Sequence, residues 1–144
     1  MLIRRMTEDD LCEVDALYVA AWKEGYKGLL PHDFLGSLTS KIVDRSPKSY
    51  FFDEGSFVIF DGERIAAHVH ARPAAEEKTR GWGEIHTMYA LPQFWGMGHA
   101  GELFDYAVNW LHEQGFYKVY LYVLEGNERA ARFYKKHGFT PTDD

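Results

Sequence analysis

Apolar residues change their period along the chain, and the changes mark its elements. Leu11, Val14, Tyr18, Ala21 and Trp22 recur three to four residues apart, the spacing of one helical face. Thr7 followed three residues later by Asp10 is a capping-box pair, so a helix is predicted over residues 8–22, preceded by a short strand at 1–5. Gly25, Gly28 and Pro31 break this helix, and a second short helical piece is expected at 32–38. From Tyr50 the period shortens to two. Residues 56–61 read as a strand, Asp61-Gly62 as a turn, and 64–72 as a strand in which Ile65, Val69 and Ala71 alternate with His68, His70 and Arg72. A polar loop spans 73–83, and the strand at 84–91 stops at Pro92. A glycine-bearing segment then opens a helix with Leu103, Ala107 and Leu111 on one face, Phe104 and Val108 beside them, and Gly115 as its left-handed cap. Residues 117–124 form a strand rich in Tyr and Val, and Asn127 opens a last helix that His137-Gly138 ends. The order β-loop-α-β-α predicts an α/β or α+β sheet whose neighbouring strands are joined by a crossover helix.

Composition narrows the class. The 144 residues, 46% hydrophobic and 16% aromatic, suffice for one core, and no repeat, low-complexity tract or Pro/Ser-rich linker divides them, so residues 1–144 read as a single domain. No apolar run approaches the ~20 residues that span a bilayer, and the first ten residues carry no leader pattern. The expectation is a cytoplasmic protein without a membrane partner. Sixteen Lys and Arg against 22 Asp and Glu give a net charge of −6, which argues against nucleic acid as a partner and leaves cationic small molecules and peptides. Cys12 lies in the first helical pattern with no histidine near it in sequence, and reads as a packed or half-buried thiol. His68 and His70 share a strand face, but without a third ligand at close spacing no metal is expected.

Gly96-Met97-Gly98-His99-Ala100-Gly101 matches G-x-G-x-x-G between a strand and a helix. Glycines there permit a tight turn, and they also let backbone N–H groups at a helix start approach a phosphate. A dinucleotide (NAD(P)) site would use Glu125 on a ribose. Against it, Pro92-Gln93-Phe94-Trp95 separates strand from glycines, and only about twenty residues follow Glu125, too few for a doubly wound sheet.

The downstream pattern Leu121-x-Val123-x-x-x-Asn127-x-x-Ala130-x-x-x-Tyr134-x-x-x-Gly138-Phe139 points elsewhere. Together with Tyr89-Ala90-Leu91-Pro92 and Trp95-Gly96-Met97-Gly98-His99-Ala100, it resembles the two signature motifs of the GNAT superfamily of N-acetyltransferases. The resemblance runs from Ile3-Arg4-Arg5-x-Thr7-x-x-Asp10 to Gly138-Phe139. It implies an α+β (α/β three-layer) acyl-CoA N-acyltransferase fold with a mixed central sheet flanked by helices. The family's last strand is expected to be absent, leaving an exposed edge that a homodimer would cover.

The resemblance also implies site residues. Acetyl-CoA is the co-substrate, with its pyrophosphate on the backbone of Trp95, Gly96, Met97, Gly98, His99, Ala100 and Gly101. The family usually has Gln or Arg where this chain has Trp95, and the His99 side chain reads either as an added phosphate donor or as a solvent-facing residue. Met88, Tyr89 and Ala90 would pair with pantetheine like a strand. Asn127 would contact the coenzyme and cap its helix, while Arg129, Arg132, Lys135 and Lys136 make that helix locally basic. Tyr134 matches the tyrosine near the thioester sulfur, a general acid for the departing thiolate. Glu84 occupies the place of the family's general-base glutamate, and His86 on the same strand face is the alternative. Trp22, Tyr26 and Phe34 lie in the region that covers the acceptor. The implied activity is acetyl transfer to a primary amine of a small molecule or peptide by direct attack in a ternary complex. The rivals are a non-catalytic acyl-CoA sensor or scaffold and an NAD(P)-binding protein.

Overall fold

The computed structural model describes residues 1–25, 54–123 and 127–141. Tyr26, Gly28, Pro31, Phe34, the helical piece at 32–38, Glu125 and residues 142–144 lie outside the described residues. Strands β1 (Ile3–Arg5), β2 (Ser56–Asp61), β3 (Arg64–Pro73), β4 (Gly83–Ala90) and β5 (Val119–Tyr120) form one sheet in the order β1-β2-β3-β4-β5. Its first three pairings are antiparallel and β4–β5 is parallel. Helix α1 (Leu11–Gly25) covers one face, and α2 (His99–Glu113) with α3 (Glu128–Lys136) covers the other. This is the mixed, helix-flanked sheet that the resemblance to the GNAT superfamily implies, with α2 as the crossover helix that the β-loop-α-β-α order predicts between β4 and β5. Among the described residues no helix is long and apolar enough to cross a membrane.

The start of α1 follows the capping-box chemistry. The Thr7 N–H donates to Asp10 Oδ2 at 2.8 Å, and both Arg4 terminal nitrogens donate to the same carboxylate at 2.8 and 2.9 Å. Burial pushes the Asp10 carboxyl up, but these bonds outweigh it and hold the group below the usual carboxylate range. A 3-10 turn at Glu8–Asp10 then feeds α1, which runs to Gly25 rather than stopping at Trp22. Cys12 is exposed, which corrects the packed or half-buried reading: its position falls on the solvent side of the helix, opposite Val14, Leu17 and Tyr18.

The β2–β3 turn places Gly62 at a φ of 61°, as Asp-Gly hairpins require. In β3 the alternation of apolar and polar residues does not produce a wet face. Every residue from Ile65 to Ala71 is buried, because β3 is central and helices cover both sides. Val58, Ile65 and Leu91 pack with Val14, Leu17 and Tyr18 of α1, while Ala67, Val69 and Ile85 pack with Leu103, Phe104, Ala107 and Leu111 of α2. Of the predicted strand at 117–124, whose Leu124 lies outside the described residues, Val119–Tyr120 is the part that forms among the described residues, where Gly83↔Val119 and Glu84↔Tyr120 pair before the two strands part.

His68 is therefore a core residue. Tyr18 Oη lies 2.7 Å from its Nδ1 and Ser56 Oγ 2.7 Å from its Nε2. Burial, and secondarily neighbouring His70, lower its pKa from 6.5 to about 3, so the folded protein keeps it neutral. The unfolded chain binds a proton there that the folded chain refuses. Stability should thus fall as pH drops from 6.5 toward 5, with a contribution of up to about 1.4 kcal/mol per pH unit from this group. Urea unfolding at pH 7.5, 6 and 5 checks this, and His68→Gln should flatten the slope.

Candidate active site

Among the described residues β4 has no strand partner on its β5 side from Ile85 onward, and that edge faces Leu121, Tyr122 and Val123 across a cleft of about 370 Å³. Helix α3 closes the far side with Asn127, Ala130, Phe133 and Tyr134, and the α2 turn closes one end with Gly96, Gly98, Ala100 and Gly101. The β3–β4 register supplies a second local feature. Ala71 faces Ile85 and His70 faces Thr87, so His86 is an extra residue in a bulge. A bulge re-aims side chains. His86 lines the cleft, with its ring centroid 5.8 Å from that of His70, while Thr87 reaches back to Tyr18 at 2.7 Å. Burial holds the His86 imidazole below its ordinary pKa, favouring the neutral form.

The turn into α2 depends on conformation that only glycine adopts easily. Gly96 and Gly98 have φ of 79° and 98°, and a Cβ on either would meet nothing within 4 Å, so the space over the turn is open. The N-cap of α2, Gly98, has no side chain to cap it, and the N–H groups of His99, Ala100 and Gly101 lie at the positive end of the helix dipole. Across the cleft, the Phe104 ring contacts Phe133, Tyr134, His137 and Phe139 at centroid distances of 5.3 to 5.7 Å and fastens α3 to α2. His137 Nδ1 adds a 3.0 Å contact to Asp105. The described lining includes Arg129, Lys136, His86 and His137 but no Asp or Glu. An open strand edge, an anion-attracting helix start and a basic wall together suit an extended amide chain that carries phosphate.

Comparison with known proteins decides the lineage. Residues 13–139 match the acetyltransferase (GNAT) family. The chain belongs to that family. It is 29% identical to mycothiol acetyltransferase from Geodermatophilus obscurus over 124 residues, 83% of this chain and 40% of that protein. It therefore spans about two fifths of that relative. An uncharacterized N-acetyltransferase from Archaeoglobus fulgidus is 27% identical over 148 aligned positions, 93% of this chain and 89% of that protein. Among solved structures, PaiA N-acetyltransferase from Thermoplasma acidophilum in complex with coenzyme A superposes with a TM-score of 0.82 at 19% identity, covering 99% of this chain and 91% of that one. A GNAT acetyltransferase from Brucella melitensis in complex with acetyl-CoA gives 0.67 at 21% identity, covering 97% and 82%. These likenesses establish the GNAT fold here.

The residues matched to GNAT motifs do not all face the cleft. Met88, Tyr89, Ala90, Trp95, Gly96, Gly98, Ala100, Gly101, Asn127 and Tyr134 line it. Met97 does not and is 58% exposed. The His99 side chain is not solvent-facing. It is 3% exposed, with Nε2 3.1 Å from Asp61 Oδ1 and its ring against Phe94, which ties α2 to the β2–β3 turn. Trp95 donates from Nε1 to the Ala90 carbonyl at 3.0 Å, and the Arg129 guanidinium stacks 3.7 Å from its ring centroid. Asn127 Oδ1 accepts from Ala130 N at 3.2 Å, so its amide N–H groups remain available. Of the basic residues on α3, Arg129 and Lys136 line the cleft, while Arg132 lies 3.9 Å from Glu128 on the exposed side. Glu84 is 5% exposed and absent from the described lining; its Oε1 accepts from Arg72 Nε at 2.8 Å and its Oε2 lies 4.0 Å from His86 Nδ1. Trp22 packs 6.3 Å from Tyr89, and Tyr18 5.0 Å from it. Sequence reasoning missed Thr87 and His137, both in the cleft wall; strict strand alternation hides the first, and the second reads only as a helix stop.

Gly98 tests the turn. Gly98→Ala forces a side chain into the left-handed region at a cost of about 1–2 kcal/mol. Its urea midpoint should fall, and coenzyme A binding measured by calorimetry should weaken as the turn relaxes.

Proposed function

We propose that this protein transfers an acetyl group from acetyl-CoA to a primary amine of a small molecule or peptide. The convergence of the open β4 edge, the glycine turn and the Tyr134 side chain on one cleft carries this reading. The residues present fit the co-substrate. The positive-φ turn leaves room where Gly96 and Gly98 lack side chains, Met88 to Ala90 offer a strand edge, and Arg129, Lys136 and the helix start oppose phosphate charge. Bound acetyl-CoA supplies an activated thioester.

The protein's own residues supply proton handling. An amine of pKa ~10.4 is about one thousandth neutral near pH 7.4, which costs about 4 kcal/mol unless a base assists. Two groups stand near the acceptor end. Glu84 is engaged by Arg72 and buried behind the cleft wall, whereas His86 stands in the wall and is kept neutral by burial. We assign His86 as the base that takes the amine proton, with Glu84 as the positioning residue 4.0 Å from its Nδ1. Tyr134 donates a proton to the departing sulfur. Its ring is set by Phe104, 5.4 Å away.

Acetyl-CoA should raise the thermal midpoint of wild type and of Tyr134→Phe alike, because a ligand bound only by the folded state stabilises it. Thiol release with a panel of polyamines, aminoglycosides, amino acids and peptides should fall about a hundredfold in kcat for Tyr134→Phe. Coenzyme binding without thiol release from any acceptor would instead favour the sensor reading. For His86, the active form is the neutral one and burial lowers its pKa, so the acid limb of kcat/KM should lie below pH 6.5. His86→Gln should remove that limb and lower kcat about tenfold to a hundredfold, read from rate profiles between pH 5 and 9.

A further inference from the structure

His137 stands in the cleft wall, and no proton transfer or phosphate contact described above uses it. It is the C-cap of α3, where its backbone N–H reaches the Phe133 and Tyr134 carbonyls. Its ring packs on Phe133 and Phe104, at centroid distances of 4.7 and 5.5 Å, and its side chain is 16% exposed. Nδ1 is 3.0 Å from Asp105 Oδ1. The edge formed by Cε1 and Nε2 lies against Gly101 in the first turn of α2, where a Cβ would stand 3.2 Å from both atoms. The absent side chain lets an imidazole edge sit beside the N–H groups that open α2.

A carboxylate oxygen only accepts hydrogen bonds, so Nδ1 carries the proton toward Asp105 and Nε2 is the nitrogen on the Gly101 side. In the neutral ring Nε2 is a lone pair, which repels a phosphate oxygen; in the cation it is an N–H donor. The charges around the ring pull both ways. Asp105 and the carbonyl end of α3 favour the cation, while Lys136 and Arg129 on α3 and the start of α2 oppose it. Phe104 and Phe133 add no charge, Glu102 beside Gly101 is exposed, and His86 is the titratable group on the β4 wall. An anion held at the α2 start cancels the opposition and draws a proton onto a neighbouring imidazole.

We propose that His137 is a further coenzyme-binding residue: as an imidazolium it donates from Nε2 to the diphosphate of acetyl-CoA, so that binding takes up a proton. This rests on acetyl-CoA being the co-substrate. The diphosphate fits because the imidazole edge and the α2 N–H groups converge at Gly101, and two linked phosphates present oxygens to both. One proton passes from the buffer to Nε2, and no bond of the coenzyme changes. Asp105 is the positioning residue, since its contact fixes which nitrogen turns toward Gly101.

Calorimetry in buffers of different ionisation enthalpy counts the protons. The 3′-dephospho form of acetyl-CoA is the informative probe, because its diphosphate exchanges no proton near neutral pH. Wild type should take up as much as about one proton on binding it at pH 7.5, and affinity should fall as pH rises from 6.5 to 8.5, by at most about tenfold per unit. His137→Gln should abolish the uptake, flatten that dependence and weaken binding about tenfold at pH 6.5. Imidazole nitrogen NMR of the wild-type complex at pH 7.5 should show a cationic His137 ring, and Asp105→Asn should lower its cationic fraction. The spectrum needs no variant at His137, so it decides the matter even if His137→Gln unfolds. Binding without proton uptake, uptake that survives His137→Gln, or a neutral His137 ring in the complex would each overturn the proposal. So would uptake seen with acetyl-CoA but absent with its 3′-dephospho form, which would put the contact on the 3′-phosphate. If neither coenzyme binds the wild type, the acetyl-transfer reading falls and the His137 role with it, whereas binding without uptake removes the His137 role alone.

Discussion

Everything about the cleft depends on how briefly β4 and β5 pair. Two residue pairs hold them together, and beyond Glu84 and Tyr120 that edge of β4 pairs with no strand among the described residues. A strand edge inside a protein cannot stay unsatisfied: each unpaired buried peptide group costs on the order of 1–3 kcal/mol. The gap must therefore admit water or an extended ligand with its own amides. It stays open because α3 is braced against α2 rather than against β4. Phe104, fully buried, contacts Phe133, Tyr134, His137 and Phe139, and this aromatic hub sets the distance across which Tyr134 faces the strand. The missing Cβ of Gly101 adds to the same brace, since a methyl group there would stand 3.2 Å from the His137 ring.

Charge is distributed to match. The chain carries a net −6, yet no carboxylate is among the described lining residues, where Arg129 and Lys136 stand. Glu102 and Asp105, on the helix that opens at the glycine turn, are exposed. The carboxylate of Glu84 is neutralised by Arg72 behind the wall. Acidity on the outer surface and a basic slot within are compatible because a helix start and two cations act over a few ångströms, whereas exposed charges are screened over about 8–10 Å.

Much of this was legible in the sequence, where the physics is local. The glycine spacing is legible because Gly96 and Gly98 need left-handed backbone, Asn127 because an amide caps a helix through its nearest N–H groups, and the Thr7–Asp10 pair because both bonds lie within one turn. The failures are non-local. His99 turns toward Asp61, 38 positions away, and no helical pattern records that partner. The extra residue at His86 breaks the period of two, so Thr87 changes face and Glu84 and His86 no longer follow from alternation. The length of β5 depends on where β4 leaves it, which is a property of the pair and not of either segment. The polar positions of β3 belong to the interior because helices cover both sheet faces, which a single strand's alternation does not reveal.

The buried contacts through His68 bear on the same geometry. Stability alone gives little reason to place a phenol, an imidazole and a hydroxyl in a core: paired, they contribute about 1 kcal/mol per bond, and apolar residues of the same shape would do nearly as well. What a satisfied network adds is direction, since each bond tolerates only a narrow range of angles and ties one element to the next. Here the tie runs from His68 of β3 through Tyr18 of α1 to the residue just after the bulge in β4. A bulge without it would leave that stretch of wall, which among the described residues pairs with β3, free to slip by one residue and exchange the faces of His86 and Thr87. Held on both faces, by Tyr18 on one and the α2 core on the other, β4 can lose its β5 partner and still present its free edge in one register.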